Sequence, residues 1–149
     1  MKTKKEILVV GGTGFLGYHL SKKCLKLGWK VTSLSTKKPK KKRFLKNVNY
    51  IFCDISKKNS LKKISKKNLK IVVNFGGYVD HSNAKKTFNS HFIGVVNLSN
   101  FFLKKNLQAF IQIGSGGEYG NKASPHTEDN LSKKAPKSNY YKAKFLATN

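Results

Sequence analysis

Acidic residues are scarce in this 149-residue chain, with 6 Asp and Glu set against 31 Lys and Arg, for a formal charge of +25. Arginine is nearly absent as well, because the basic set includes a single one, Arg43. A specific nucleic-acid reader concentrates its basic residues on one face and uses arginine for bidentate base and phosphate contacts. Here lysine is scattered along the whole chain beside abundant Asn, Ile and Phe. These are residues of A/T-rich codons, so a biased genome composition accounts for much of the charge. No specific nucleic-acid partner is expected, although nonspecific adhesion to polyanions at low salt is.

Cysteine is limited to Cys24 and Cys53, which lack CxxC spacing and fall in an expected helix and an expected strand. Two buried, reduced thiols, a cytoplasmic setting and no metal site follow as expectations. No apolar run is long enough to span a membrane, so no membrane partner is expected. Met1 to Lys5 and the apolar residues after them imitate the start of a signal peptide. Glycines interrupt that run after four residues, however, and no A-x-A cleavage site follows. No internal repeat is evident, and the length suits one domain with a real core.

The stretch that organises the chain is Ile7 to Leu20, ILVVGGTGFLGYHL. Ile7, Leu8, Val9 and Val10 form a continuous apolar run, the pattern of a parallel strand buried on both faces. Gly11, Gly14 and Gly17 follow at G-x-x-G-x-x-G spacing. The first permits a sharp turn, the second lets a diphosphate approach the backbone, and the third lets the next helix lie close to the strand. The N-terminus of that helix offers unpaired N–H groups and a positive dipole end, which suit a pyrophosphate. Strand, glycine turn and helix in this order predict dinucleotide binding.

The rest of the chain continues the alternation. A helix is predicted from Phe15 to about Lys26, with Leu16, Leu20, Cys24 and Leu27 near one face and Gly28 as its stop. Strands are predicted at Val31–Leu34, Val48–Cys53, Ile71–Asn74 and Phe110–Ile113. Lys57 to Lys70 reads as a weak surface helix with only Leu61, Ile64 and Leu69 to bury. From about Ala84 to Lys105, Phe88, Phe92, Val95, Leu98 and Phe102 step by four, three, three and four as one stripe of a long helix, suited to a core or a subunit interface. Pro39 to Arg43, PKKKR, resembles a nuclear-localisation segment but reads as a solvated loop in this composition. A last helix begins near Ser138. Helices between successive strands imply a parallel α/β sheet with right-handed crossovers.

Cofactor preference in such folds is set at the end of the second strand. An Asp or Glu about 20 residues after the glycine turn would accept hydrogen bonds from the adenosine ribose of NAD. Ser35, Thr36, Lys37 and Lys38 stand there instead, and hydroxyls and cations suit a 2′-phosphate. NAD or NADP is therefore expected, with NADP slightly favoured.

Tyr140 and Lys144, four positions apart, share one helix face. A free phenol has a pKa of about 10 and is a poor acid–base catalyst near neutrality; a neighbouring ammonium stabilises the phenolate. Ser115 lies just beyond the fifth strand, at the sheet edge where parallel sheets carry ligands.

With these blocks in place the chain resembles the extended short-chain dehydrogenase/reductases, the NAD(P)-dependent epimerases, reductases and dehydratases that act mainly on nucleotide sugars. The resemblance rests on GGTGFLG at 11–17, CDIS at 53–56, NFGG at 74–77, GSGGEYG at 114–120 and PKSNYYKAK at 136–144. It implies a Rossmann-type doubly wound parallel sheet in three α/β/α layers. Gly11, Gly14 and Gly17, with the Thr13–Leu16 backbone including Phe15, would cradle the diphosphate. Asp54 and Ile55 would contact the adenine. The Asn74–Gly77 block would line the cofactor, with Gly76 where relatives usually carry Ala. Tyr140 would be the general acid/base, Lys144 would hold the nicotinamide ribose and lower the tyrosine pKa, and Ser115 would bind the reacting oxygen.

Three departures shape the expectation. The dehydratase branch carries an Asp-Glu pair where this chain has Gly116 and Gly117, with Glu118 one residue out of register, so epimerase or ketoreductase is favoured. His91 stands where relatives often carry Asn. Relatives also continue well past the Tyr-x-x-x-Lys helix, whereas this chain ends at Asn149, five residues after Lys144. The expectation is therefore the N-terminal, cofactor-binding part of such an enzyme, C-terminally truncated and without the substrate-binding part, or alternatively a noncatalytic dinucleotide-binding module. A nucleotide-sugar substrate and a possible homodimer through the 84–105 helix complete the reading.

Overall fold

The computed structural model describes residues 4–64, 69–130, 132 and 134–149. Five strands, β1 (Glu6–Val10), β2 (Lys30–Ser35), β3 (Val48–Phe52), β4 (Ile71–Asn74) and β5 (Ala109–Gln112), form one sheet in the order β3-β2-β1-β4-β5. All pairings are parallel. The register sets Val10 beside Leu34 on one side and Asn74 on the other, and Asn74 beside Gln112, so the strands end together along one edge.

Strand alternation divides the core between the two faces. Ile7, Val9, Val31 and Val73 pack with Leu20 and Cys24 of α1 (Phe15–Lys26). Leu8, Val10, Leu34 and Val72 pack on the opposite face with Ile55, Leu61, Leu98 and Phe102. Each such large side chain contributes about 1.5–3 kcal/mol by leaving water. The two thiols are free and buried, one in each half of the core, and burial pushes both pKa values up.

Three local readings are corrected. Between β2 and β3 there is no α-helix; the basic segment is the expected solvated connection and includes a 3-10 turn at Lys41–Arg43. In 57–70 the described part is a 3-10 helix, Lys58–Lys63, while residues 65–68 lie outside the described residues. Few apolar side chains are available in either segment to hold a full amphipathic helix on the sheet.

The third correction concerns 84–105. It is helical in three pieces, α2 (Ala84–Phe88), a π-helical turn (Asn89–Ile93) and α3 (Gly94–Phe102). The wider π turn rotates the upstream face relative to α3. Thr87, His91, Val95, Leu98 and Phe102 therefore form the buried line, while Phe88 and Phe92 sit half-buried against each other at 5.1 Å. The polar members of that line, Thr87 and His91, face the part of the molecule where α4 (Asn139–Thr148) packs onto α2 and the π turn.

Candidate active site at the strand ends

A cleft of about 670 Å³ opens at the C-terminal ends of β1, β2, β3 and β4. Gly11, Gly14, Phe15, Leu16, Gly17, Ser35, Thr36, Lys37, Asp54, Ile55 and Gly76 all line it, so sequence positions from four separate segments meet in one place.

The glycine turn is fixed from several directions. Gly11 has φ +75°, and a Cβ there would lie 2.9 Å from the Phe75 carbonyl carbon. Gly11 donates its N–H to Leu34 O at 2.7 Å, Gly14 donates to Gly11 O at 2.9 Å, and Thr13 donates to Ser35 Oγ at 3.2 Å. A Cβ on Gly17 would overlap the Gly11 carbonyl, so only glycine lets α1 start this close to the strand. No side chain caps α1, which leaves its first-turn amides available to an anion. These features fit a dinucleotide diphosphate.

The far wall depends on two buried amides. Asn74 is fully buried; its Oδ1 accepts from Gly76 N at 2.8 Å, and its Nδ2 donates to Gln112 Oε1 at 2.7 Å. Gln112 Nε2 donates to Ile113 O at 2.9 Å, and the same carbonyl accepts from Lys144 Nζ at 2.6 Å. Asn74 thus lies beneath the cleft wall rather than on it and links Gly76 to Lys144. Asn97 of α3 donates to Ile55 O and Ser56 O, both at 3.0 Å, and so holds the Ile55–Ser56 wall of the cleft. Asp54 accepts from Ser56 N at 3.0 Å and Ser56 Oγ at 2.7 Å, closing a turn at the strand end.

Lys144 is buried, and loss of water pulls its pKa below the ordinary lysine value, partly offset by the Glu118 carboxylate. Glu118, also buried, accepts from Ser115 N at 2.5 Å within a capping box that starts the 3-10 turn Gly116–Tyr119. Ser115 Oγ accepts from Gly117 N at 3.3 Å. A Cβ on Gly117 would overlap the Tyr141 ring, whereas one on Gly116 would meet open space.

Tyr140, one turn before Lys144, stacks on His81 at 4.0 Å and 10° and meets the edge of His91 at 4.9 Å. Nε2 of His91 lies 3.0 Å from Tyr78 O, which fixes it as the protonated nitrogen of a neutral ring; buried Nδ1 has no partner. Burial therefore holds the His91 pKa below its ordinary value of 6.5, opposed by the Tyr78 carbonyl and reinforced by the charges of Lys144 and His81.

Ser115, Tyr140 and Lys144 do not line the cleft itself, but Tyr78, whose carbonyl His91 grips, does. Gly77 of the expected Asn74–Gly77 block lines it too, and so do Tyr78, Lys86, Asn89 and Ser90, which were not expected there from sequence. Ser90 Oγ accepts from Tyr78 N at 2.9 Å and donates to Thr87 O at 3.1 Å. The available signal was the polar pair Asn89-Ser90 within an otherwise apolar helical stripe. Among the described residues no cluster of His, Cys, Asp and Glu could hold a metal ion, and no helix is long and apolar enough to cross a membrane.

Five parallel strands with helices on both faces and a glycine-lined cleft at the strand ends define a Rossmann-type nucleotide-binding fold. The chain belongs to the NAD dependent epimerase/dehydratase family, whose model matches residues 7–149. Among solved structures it is similar to UDP-glucose 4-epimerase of Thermotoga maritima with UDP-glucose, at 22% identity and TM-score 0.84, covering 95% of this chain and 48% of that one. It is similar too to the Bordetella bronchiseptica enzyme WbmG in complex with NAD, at 18% identity and TM-score 0.87, covering 99% and 49%. A dTDP-glucose 4,6-dehydratase of Bacillus anthracis in complex with NAD matches at 21% identity and TM-score 0.79, covering 96% and 48%. The chain thus spans about half the length of these neighbours. No curated protein sequence matches it.

Proposed function

We propose that this chain is the cofactor-binding part of an NAD(P)-dependent nucleotide-sugar epimerase or ketoreductase of the extended short-chain dehydrogenase/reductase type. The observation that carries the reading is Lys144, buried with Nζ on Ile113 O and linked through Gln112 and Asn74 to the cleft wall at Gly76. A buried lysine reaching the sheet edge beside a glycine-cradled cleft suits a ribose-holding role better than a structural one, because burial costs an ammonium its hydration.

The cleft accommodates the dinucleotide with its diphosphate at Gly11–Gly17, its adenine toward Asp54 and Ile55, and its nicotinamide end toward Gly76 and Lys144. When bound, the cofactor supplies the hydride acceptor or donor. Tyr140 takes a proton from a sugar hydroxyl at its phenolic oxygen, or returns one to a carbonyl, while Ser115 hydrogen-bonds the reacting oxygen. His81 and His91 hold the Tyr140 ring between them. NADP is favoured over NAD because Ser35, Thr36 and Lys37 replace the carboxylate that would bind a free ribose. Several NAD-bound neighbours make NAD the competing cofactor.

The reaction class is tested with a panel of UDP-, dTDP- and GDP-sugars, following reduction of added NAD(P)⁺ and epimer formation. Tyr140→Phe should lower turnover by about 100-fold or more while leaving cofactor affinity within about twofold. Retained turnover in Tyr140→Phe contradicts the assignment. Cofactor binding without turnover on any sugar favours a noncatalytic binding module.

A further inference from the structure

The aromatic side chains on the outer surface of α1 and of the β2–β3 connection are joined into one array. The Phe44 ring stacks on Tyr50 at 5.7 Å and 24°, and Leu45 N donates to the Tyr50 hydroxyl at 2.9 Å, which packs the end of the 3-10 turn onto β3. Arg43, the preceding residue, places its guanidinium 5.7 Å from the centre of the Phe15 ring, so the turn meets the start of α1. Phe15 meets the edge of His19 at 4.7 Å, His19 meets Tyr18 at 5.0 Å, and the Lys22 ammonium lies 5.9 Å from the Tyr18 ring. Phe15 is 62% and Phe44 60% exposed, although phenylalanine is ordinarily a core residue.

Charge on this surface has one sign. No Asp or Glu occurs between Glu6 and Asp54, a stretch that holds all of α1, β2, the 3-10 turn and β3. Lys22, Lys37, Lys38, Lys41 and Lys42 are exposed within it. A partner for such a surface must offer flat apolar faces and repeated negative charge together. A bilayer would receive a contiguous apolar face with cations at its border. Here the rings alternate with cations instead, which matches the alternation of base and phosphate along a nucleic-acid strand.

We infer that this array is a platform for a single-stranded polynucleotide, with bases stacked on the exposed rings and phosphates met by Arg43 and the lysines. Recognition of this kind is indifferent to sequence, because every base has a π face. It needs no arginine fork on base edges, so the scarcity of arginine that argues against a sequence reader does not oppose it. The turn is already packed on Tyr50, so little ordering remains to oppose binding. The inference stands apart from the cofactor reading of the cleft, although Phe15 also lines that cleft.

The test is fluorescence anisotropy of the 149-residue chain with labelled oligothymidylate of about 12 nucleotides, at about 0.15 M salt to suppress diffuse attraction. An abasic strand of the same length and the duplex with oligoadenylate are measured beside it. Oligothymidylate should bind at least about tenfold tighter than the abasic strand, and tighter than the duplex, whose charge is denser but whose base faces are covered. Phe44→Ala should weaken oligothymidylate about fivefold or more, and Phe44→Trp should retain it. Lys104→Gln, just before β5 at the opposite edge of the sheet, should change it less than about twofold. Melting curves without nucleic acid establish that each variant is folded, and Phe44→Leu, which keeps apolar area without a stacking face, replaces Phe44→Ala should that variant prove unstable.

Equal affinity for the abasic strand, tighter binding of the duplex, or no effect of Phe44→Ala reduces the surface to diffuse charge and overturns the platform. Binding to phosphatidylserine vesicles that is lost in Phe44→Ala, without a preference for oligothymidylate over the abasic strand, assigns the array to a membrane surface and overturns it as well. Neither result bears on dinucleotide binding.

Discussion

The imidazole of His91 fills the space that a side chain at position 77 would need; a Cβ on Gly77 would overlap the ring at Cε1, Nδ1 and Nε2. The glycine at position 77 and the histidine at position 91 are therefore one packing solution. The π turn brings His91 over the backbone after β4, where Nε2 binds Tyr78 O and the ring edge meets Tyr140.

Gly77→Ala should accordingly destabilise the fold by about 1–3 kcal/mol through overpacking. His91→Asn shortens the opposing side chain and should recover much of that loss in the double variant. A double-mutant cycle on melting temperature measures the coupling. Additive effects would mean that the two positions do not compete for the same space.

His91 also predicts how stability responds to acid. Its folded pKa lies below the 6.5 of the free side chain, so in the window between those values the unfolded chain binds more protons than the folded one. Stability contributed by the neutral ring is present above that window and is lost as pH falls through it. Melting temperatures measured from about pH 7.5 to about pH 5.5 should drop more steeply for the parent chain than for His91→Asn. Parallel curves would remove the titration of His91 as the cause.

Asn74→Leu keeps the volume but leaves Gly76 N and Gln112 Oε1 without their partner. A cost of about 1–3 kcal/mol in unfolding free energy is expected. Cofactor affinity should fall beyond that of a stability control such as Leu98→Ala, whose side chain lies in the core away from the cleft. Equal affinity in both variants would separate the amide network from the cleft wall.

Much of the site was legible because its information is local. The run Ile7–Val10, the glycine spacing and the bare end of β2 are contiguous signals, and β4 occupies the predicted Ile71–Asn74. Tyr140 and Lys144 needed only helical periodicity to share a face. What stayed hidden depends on contacts distant in sequence. The π turn moved Thr87 and His91 into the buried line that the Phe88-Phe92 spacing had claimed. The link from Gly76 through Asn74 and Gln112 to Lys144 requires the β4–β5 register, which no single segment encodes. The Arg43 turn was masked by lysine on either side, because its order comes from Tyr50 on the neighbouring strand.

The central claim, that the strand-end cleft holds a dinucleotide, is tested most directly by titrating the chain and its Gly14→Ala variant with NADH and NADPH while following nicotinamide fluorescence and melting temperature. Gly14 has φ −73°, so alanine is allowed by the backbone, but its Cβ would lie 3.1 Å from Gly11 O at the surface proposed to receive the diphosphate. The account predicts saturable binding to the parent chain with a matching rise in melting temperature, about 2.7 kcal/mol of stabilisation at 100 times Kd. It also predicts a folded Gly14→Ala variant that binds about tenfold more weakly or worse. A cooperatively melting parent chain that binds neither dinucleotide, or a variant that binds as tightly as the parent, would contradict it.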